Sequence, residues 1–355
     1  MRIPADMRNL NRLVDSVQRN CHVADARHAR DTSLCIYLLQ MREYYRWEND
    51  LPLEEQPRRN ELGTWLTERE ALWSGMEDAP FDAISVNGHP LDPFDAEGIN
   101  TRLAPEGLVY GGGIGRFHRP HFFLARLERM ERRDGLRVLV AGCEYARDLS
   151  APPAVLHNDT VYLRTESVRR WLWDKVELWR MKKTEGALAS ALACYGFGDN
   201  AAQALERMVE AETEAIILHE LGESQAELLL GTPWCDMLGT LSSKRAELVA
   251  RAVRDNLADC ASTLPALFAA GADASIHFYF ANFDGMRKAL FPKLDRAYRR
   301  WRDGGELAEF ADTVRSGRAH WEEAARRLLD IGKLASGDAG SLDKNIEREE
   351  PVLAL

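Results

Sequence analysis

Apolar residues recur at helical spacing through the first part of the chain. The pattern from about residue 9 to residue 48 predicts helix, with Asp31-Thr32 as the cap of its second half. The apolar positions of that half share one face: Leu34, Leu38, Met41 and Tyr45. A Pro-containing break follows at 49–57, and the spacing predicts a second amphipathic helix over about 59–73. We therefore predict an N-terminal helical arm over residues 1–79.

Between residues 80 and 165 the pattern changes to short apolar runs among glycines and prolines. The runs of strand length are residues 107–110, 121–125, 136–140, 154–156 and 160–163. Asp134-Gly135 precedes the third run and His157-Asn158-Asp159 precedes the last, and both sequences favour tight hairpins. This segment predicts a small antiparallel sheet.

Helical spacing returns at Glu166 and continues to about residue 335. The predicted helices start at 166 and cover about 200–230, 242–263, 292–302, 306–315 and 318–333. Gly231 followed by Pro233 marks the end of the long helix 200–230. Residues 166–335 thus predict a helical bundle, and residues 336–355, which have little to bury, predict a disordered tail. The fold class is α+β and predominantly α-helical, with the small sheet inserted between the arm and the C-terminal bundle.

Composition excludes several classes of protein. The chain has 355 residues, of which 45% are hydrophobic, so a large core is available. Asp and Glu outnumber Lys and Arg by 56 to 46, and the net charge of −10 gives no general attraction to nucleic acid or anionic lipid. The longest uncharged apolar runs, 262–272 and 275–283, are shorter than the roughly 18 residues that a membrane span needs.

The start of the chain and its cysteines suit the cytoplasm. The first residues lack the apolar stretch of a secretory signal. Six cysteines are scattered without a Cys-x-x-Cys pair, which favours reduced thiols over a disulfide framework or a zinc site. We predict that all six are buried packing residues.

The most suggestive chemistry lies on the predicted helix 200–230. Glu212, His219 and Glu223 fall within a sector of roughly 40° over about three helical turns. Carboxylates and an imidazole on one stripe can bind iron, manganese or zinc in a helical bundle when other helices add ligands. The candidates for those further ligands are Asp255, Asp259 and His277.

The same stripe has a simpler interpretation. Ile217, Leu221 and Leu228 form an apolar stripe on the opposite side of the helix, so the three polar residues would be a solvated face. A zinc-peptidase interpretation of His219-Glu-Leu-Gly-Glu223 is excluded, because position 223 is Glu where His-Glu-x-x-His needs its second His.

The spacing of Glu212 and His219, seven residues apart, resembles a ligand pair of the haem-oxygenase-like diiron oxidases. The resemblance covers this one helix and implies an all-helical site that activates oxygen. The family's later His-x-x-x-Asp-x-x-His cluster has no counterpart, since alanines stand four residues after His277 and His320.

A glycine-rich segment invites comparison with phosphate-binding loops. Tyr110-Gly-Gly-Gly-Ile-Gly115 lacks both the Gly-Lys-Ser/Thr ending of a nucleotide loop and the Gly-x-Gly-x-x-Gly of a dinucleotide turn. It predicts a glycine-rich bend or bulge in the sheet. The residues that follow are candidates for binding an anion or a metal at a sheet end, or for a polar loop: Arg116, His118, Arg119 and His121.

Positive charge is concentrated near the predicted helix 292–302. The cations are Lys288, Lys293, Arg296, Arg299, Arg300 and Arg302, interleaved with Tyr298 and Trp301. In an acidic chain this segment is the best candidate for contacting an anionic ligand or an acidic protein. The alternative is a solvated helix face that pairs with the chain's own acidic residues.

Three segments, residues 115–126, 144–154 and 219–223, resemble an uncharacterised proteobacterial family of unknown function. The resemblance brings no activity and implies a bacterial cytosolic origin. We predict a metal-dependent enzyme, an oxidoreductase with a small-molecule substrate, that uses the six ligand candidates named above. The alternative is a noncatalytic interaction or scaffold protein without a metal, with an acidic protein as its partner. Neither nucleic acid nor a membrane is a predicted partner.

Overall fold

A computed structural model describes residues 7–115, 119–335 and 339–355, and the chain divides into two compact units, Met1–Asp174 and Lys175–Leu355. The predicted arm and the predicted β region both lie in the first unit. The boundary between the units falls within one helix, Thr165–Lys182. The predominantly helical α+β class is confirmed.

The first unit joins helices to two sheets. Its helices are α1 (Met7–His28), α2 (Leu34–Glu48), α3 (Arg59–Ser74), α4 (Ala96–Leu103) and the start of α5 (Thr165–Lys182). Its strands are β1 (Ile84–Val86), β2 (His89–Leu91), β3 (Leu108–Ile114), β4 (Pro120–Arg133), β5 (Leu136–Arg147), β6 (Ala154–His157) and β7 (Thr160–Arg164). β1 pairs with β2, and the other strands form one sheet in the order β3-β4-β5-β7-β6. Helix α1 packs on this sheet, and Val17, Cys21 and Phe122 lie in their shared core.

Both predicted hairpins are confirmed. Asp134 and Gly135 join β4 to β5 with φ of 49° and 88°, the left-handed conformation that a two-residue turn of this type requires. Asn158, with φ of 50°, and Asp159 join β6 to β7. The sheet is not purely antiparallel, however, because β5 and β7 pair in parallel. That pairing joins strands that are not neighbours in the sequence, so no local turn signal predicts it.

The second unit is a helical bundle. Its helices are α6 (Ala187–Tyr195), α7 (Ala201–Leu230), α8 (Thr232–Thr240), α9 (Lys244–Ala258), α10 (Leu264–Ala269), α11 (Asp273–Ala281), α12 (Gly285–Leu290), α13 (Pro292–Arg302), α14 (Leu307–Leu334) and α15 (Ala339–Leu353). A π-helical segment, Asp259–Thr263, connects α9 to α10. Trp234, Phe291 and Trp321 are fully buried in the core. No helix in the described part of the chain is both long enough and apolar enough to span a membrane.

Several local predictions need correction. Ser33, not Asp31-Thr32, caps α2, and its hydroxyl accepts a hydrogen bond from the amide of Ile36. The two helices predicted at 306–315 and 318–333 form the single helix α14, which continues through Gly317. A Cβ at this glycine would lie 2.6 Å from the Phe291 ring and 3.0 Å from the Cys260 sulfur. The glycine therefore serves close packing and does not end the helix.

The C-terminal tail and the cysteines also differ from expectation. In place of a disordered segment from 336, the structure has helix α15, which buries Leu342, Ile346 and Leu353 in the core of the bundle. Residues 336–338 lie outside the described residues. The prediction that all six cysteines are buried is wrong, because only Cys21 and Cys260 are buried. The exposed cysteines are Cys35, Cys143, Cys194 and Cys235.

Candidate functional site

Helix α7 carries the predicted stripe close to the π-helical segment. The Asn200 side chain caps the start of α7 by accepting a hydrogen bond from the amide of Gln203. Further along, a Cβ at Gly222 would lie 2.9 Å from the carbonyl oxygen of Ala258 and 3.0 Å from Cβ of Ser262. Only a glycine lets the two backbones approach this closely. Single π-helical turns occur often at functional sites, which draws attention to Asp259 at the start of this one.

His219 lies between two carboxylates. Its Nδ1 is 2.9 Å from Oδ1 of Asp259, and its Nε2 is 3.2 Å from Oε1 of Glu223. Burial opposes a charge on the ring, but Asp259 and Glu223 outweigh burial and raise the pKa of His219 well above its ordinary value. We therefore describe His219 as an imidazolium that donates a hydrogen bond from each nitrogen.

Each of the two carboxylates that contact His219 also pairs with an arginine. Arg287 pairs with Asp259, and Nη2 of Arg254 lies 2.9 Å from Oε2 of Glu223 and 2.9 Å from Oδ1 of Asp255. The result is a run of alternating charges that we call the charge chain: Arg287, Asp259, His219, Glu223, Arg254 and Asp255. The chain links α7, α9, the π-helical segment and α12.

The charge chain controls the ionisation of its buried carboxylate. Asp259 is fully buried, and burial alone would raise its pKa. Arg287 and His219 outweigh that effect, and together with a hydrogen bond from the Tyr279 hydroxyl, 2.9 Å away, they lower the pKa of Asp259 to about 2. The carboxylate is therefore charged throughout the neutral range.

Four of the six predicted metal ligands belong to the charge chain, but they do not surround a common point. Asp259 contacts Nδ1 of His219 and Glu223 contacts Nε2, and each carboxylate also pairs with an arginine. Asp255 contacts Arg254. Among residues 7–115, 119–335 and 339–355, no group of three or more His, Cys, Asp or Glu side chains is arranged to hold a metal ion.

The other two predicted ligands have their own surroundings. Glu212 accepts a hydrogen bond from the Tyr195 hydroxyl, 2.6 Å away, and another from Ser275. Burial raises the pKa of Glu212 to about 8 despite these hydrogen bonds. His277 has its Nδ1 3.0 Å from the Tyr298 hydroxyl. Neither residue joins the charge chain through a contact that the structure shows.

A solvated helix face does not describe the stripe either. Glu212 is only 3% exposed, and the His219 and Glu223 side chains are 28% and 14% exposed. Leu228, expected on the apolar side, is instead 80% exposed. Helical periodicity places residues on one side of α7, but it does not say which side the other helices cover.

Sequence reasoning missed the cations and hydroxyls of the site. Arg254, Arg287, Tyr279 and Tyr195 supply contacts to the predicted residues. One signal was available, since Arg254 stands next to Asp255 and both occur on the helix already thought to face the stripe. Arg287 and Tyr279 come from other helices, so no spacing along the chain relates them to His219.

The basic segment forms the exposed face of α13. Asp295 pairs with Lys288 and Arg299, at 3.1 and 2.8 Å, and Asp303 pairs with Arg302 at 2.9 Å. In this segment, three exposed cations have side chains without a hydrogen bond or ion pair to any described residue: Lys293, Arg296 and Arg300. We call these three residues the basic face.

The opposite side of α13 is held by aromatic packing. The Tyr298 ring stacks on Phe280 with centroids 4.0 Å apart and an interplanar angle of 3°. His277 lies against Trp301, with ring centroids 4.9 Å apart. His277, proposed from sequence as a metal ligand, thus contacts two aromatic residues of α13. A cleft beside Arg300 is lined by Ala297, Trp301 and Phe310 and also by two acidic residues, Glu306 and Glu309.

The glycine-rich segment is a strand and not a phosphate loop. Gly111, Gly112 and Gly113 lie in β3 and pair with β4 in regular register, so the predicted bend or bulge at these glycines is wrong. Arg116 and His118 lie outside the described residues. Arg119 pairs with Asp31 at 3.5 Å, and His121 is buried in β4.

Comparison with known proteins gives a family without an assigned activity. Two family models match the chain, at residues 12–164 and 169–349, and they are described as the N-terminal and C-terminal domains of a family of unknown function (DUF6866). No curated protein and no solved structure matches the chain.

Proposed function

We propose that this chain, which belongs to the family of unknown function DUF6866, is a noncatalytic interaction protein that binds an acidic protein surface through the basic face of α13. The observation that carries the proposal is the row of three exposed cations on α13 whose side chains have no partner among the described residues, in a chain of net charge −10. Lys293, Arg296 and Arg300 are spaced by three and four residues, so they occupy one side of the helix over successive turns.

The basic face is costly to the isolated protein. Like charges at these spacings destabilise a helix by about 0.2–0.5 kcal/mol per pair. The acidic residue on the same helix, Asp295, neutralises Lys288 and Arg299 instead. Arg300 lies in the last turn of α13, where the helix dipole favours a cation, so the uncompensated cost is the repulsion between the other two cations, which an acidic partner would relieve.

The size and setting of the basic face favour protein over nucleic acid. Proteins that bind the phosphate backbone typically neutralise about 6–10 phosphates, whereas the basic face has three cations on a chain of net charge −10. Aromatic packing beneath α13 holds the helix in place, so binding a partner costs little conformational entropy. The adjoining cleft offers Trp301 and Phe310 as apolar contacts, but Glu306 and Glu309 also line it, so an acidic ligand must keep its charges on the basic face. An acidic peptide with an apolar side chain suits these features.

The test uses a fluorescein-labelled Glu-rich peptide with one Trp, followed by fluorescence anisotropy. Wild type is compared with a triple variant, Lys293→Glu, Arg296→Glu and Arg300→Glu. We expect affinity to fall at least about tenfold, or about 1.4 kcal/mol, because attraction becomes repulsion. Melting temperatures establish that the variant is folded.

A control variant carries the same change in net charge at exposed cations of α14. Arg315, Arg318 and Arg326 already pair with acidic residues of their own helix. Reversing these three should leave peptide affinity within about twofold, since screening limits distant charges. Equal losses in both triple variants, or none in either, would contradict the proposal.

A metal-dependent oxidoreductase remains the second candidate. It is supported by the contact of His219 with Glu223 and Asp259 at the start of a π-helical segment. Binding there would require His219 to lose a proton and both carboxylates to leave their present partners. Elemental analysis of tag-free protein from cells grown with iron, manganese and zinc tests it. Stoichiometric metal in wild type and its loss in folded His219→Ala would favour this candidate over the first.

The proposed setting is the bacterial cytosol. The resemblance of three segments to a proteobacterial family supports the bacterial origin, and the absence of Cys-x-x-Cys pairs in the sequence suits a reducing compartment. Fractionation of a bacterial host that makes the protein from its own gene tests this.

A further inference from the structure

The large sheet of the first unit curls until its two edge strands approach each other. β3 and β6 are at opposite ends of the strand order. Nevertheless, a Cβ built on Gly113 of β3 would lie 3.3 Å from Nδ1 of His157, the last residue of β6. The curl brings an imidazole from one edge to the glycine-rich strand at the other.

A second imidazole reaches the same point. His121 of β4 is the cross-strand partner of Gly113, and its Nε2 would also lie 3.3 Å from the Cβ that Gly113 lacks. Two ring nitrogens from different strands therefore converge on space that exists because position 113 is glycine. An alanine there would be in tighter contact with both rings than side chains usually tolerate.

Neither imidazole has a polar partner in the described residues. His121 is 6% exposed, and neither of its ring nitrogens is hydrogen bonded. No hydrogen bond or ion pair engages the His157 ring in that part of the chain. Buried polar groups are almost always satisfied, and leaving one unsatisfied costs about 1–3 kcal/mol. His157 is only partly buried, so water can reach its ring, and it is the buried, unsatisfied His121 that indicates a missing ligand.

The charges beside His121 belong to a buried ion pair. Asp148 is hydrogen bonded to the amides of Phe122 and Ala151, and its Oδ1 lies 3.7 Å from Nη1 of Arg164. Asp148 and Arg164 offset one another, so the two imidazoles, and not the surrounding charge, select a metal ion over an anion.

We propose that His121 and His157 form a transition-metal site at Gly113, with water completing the coordination. Imidazole suits zinc, copper, nickel and iron, and zinc and cobalt serve as probes. The site is separate from the charge chain, since its residues belong to the first unit. It does not depend on the function proposed for α13.

The experiment titrates Zn²⁺, by calorimetry, and Co²⁺, by its visible absorbance, into tag-free full-length protein stripped with chelator. Wild type should bind one metal ion at this site, and His157→Ala should weaken binding at least about tenfold. Gly113→Ala should weaken it as well while keeping both histidines, because the new methyl group occupies the space between them. Circular dichroism establishes that the variants are folded.

Two further variants locate the site. His89→Ala removes an exposed histidine of β2 in the same unit and should bind as wild type does. His219→Ala should also retain the metal, which separates this site from the second candidate function. No binding by wild type at millimolar Zn²⁺, or equal affinities for wild type, His157→Ala and Gly113→Ala, would overturn the proposal.

Discussion

At the scale of single residues, Glu212 makes the stability of the second unit depend on pH. Its pKa is raised to about 8 by burial, against an ordinary value of 4.5. The folded state therefore holds a proton that the unfolded chain releases above pH 4.5. This stabilising effect is complete below about pH 4.5 and is lost as pH rises through about 8.

Glu212→Gln should remove that dependence. Wild type should lose up to about 1.4 kcal/mol of unfolding free energy per pH unit between about pH 5 and pH 8 through this group, while the amide does not ionise. Urea titrations of both proteins across this range measure the difference. Glu210→Gln, on an exposed position of the same helix, should retain the wild-type slope. Parallel profiles for wild type and Glu212→Gln would contradict the assignment of a buried, protonated carboxyl.

The sequence predicted which residues share a helix more readily than which neighbours each of them contacts. Periodicity correctly placed Glu212, His219 and Glu223 on α7, but Glu212 contacts Tyr195 and Ser275 while His219 contacts Asp259. Three residues on one stripe extend over three turns, and different neighbouring helices meet different turns. The partners of each residue depend on packing that spacing cannot supply.

At the scale of elements, close contact between α7 and α9 depends on Gly222. Gly222→Ala should destabilise the protein by about 1–3 kcal/mol, because its methyl group would overlap the Ala258 carbonyl oxygen at 2.9 Å. Gly239→Ala on α8 is the matched control, since nothing lies within 4 Å of its Cβ position. That change should be neutral or stabilising, because alanine favours helix over glycine. Equal midpoints in chemical denaturation would show that the helices do not need this glycine.

Elements with local signals were predicted well. The Asp134-Gly135 hairpin and helix α13 lie where the sequence indicated. Asn87-Gly88 joins β1 to β2 with φ of 53° and 80°, and this hairpin was missed although it has the same type of turn dipeptide. The break predicted between residues 315 and 318 is the opposite error, because α14 continues through Gly317, which is closely packed.

At the scale of the whole molecule, the net charge should decide whether duplex DNA can be a partner. A chain of net charge −10 repels duplex DNA at long range. The three cations of the basic face are too few to displace the counterions that a protein releases when it binds the phosphate backbone. We expect no retardation of a short duplex in gel shifts at about 0.15 M salt, where charges interact over about 8 Å. Retardation that the triple reversal of the basic face abolishes would make nucleic acid the partner instead of protein.

The overall class followed from the sequence, while long-range arrangement did not. Helical spacing on both sides of a strand-rich segment indicates an α+β chain. The parallel pairing of β5 with β7 and the approach of His157 to Gly113 join residues distant in sequence. Such contacts result from the curl of the sheet, which no local pattern encodes.

The charge chain limits which substitutions related sequences can tolerate. Losing Arg254 alone would leave Asp255 without a contacting cation and Glu223 with His219 only, and breaking a buried pair in this way costs about 3–5 kcal/mol. Replacing a neighbouring cation and anion together by apolar residues of similar volume costs much less and can even stabilise. Arg287 and Asp259 form such a pair, so we expect related sequences to differ at 287 and 259 in both positions or in neither.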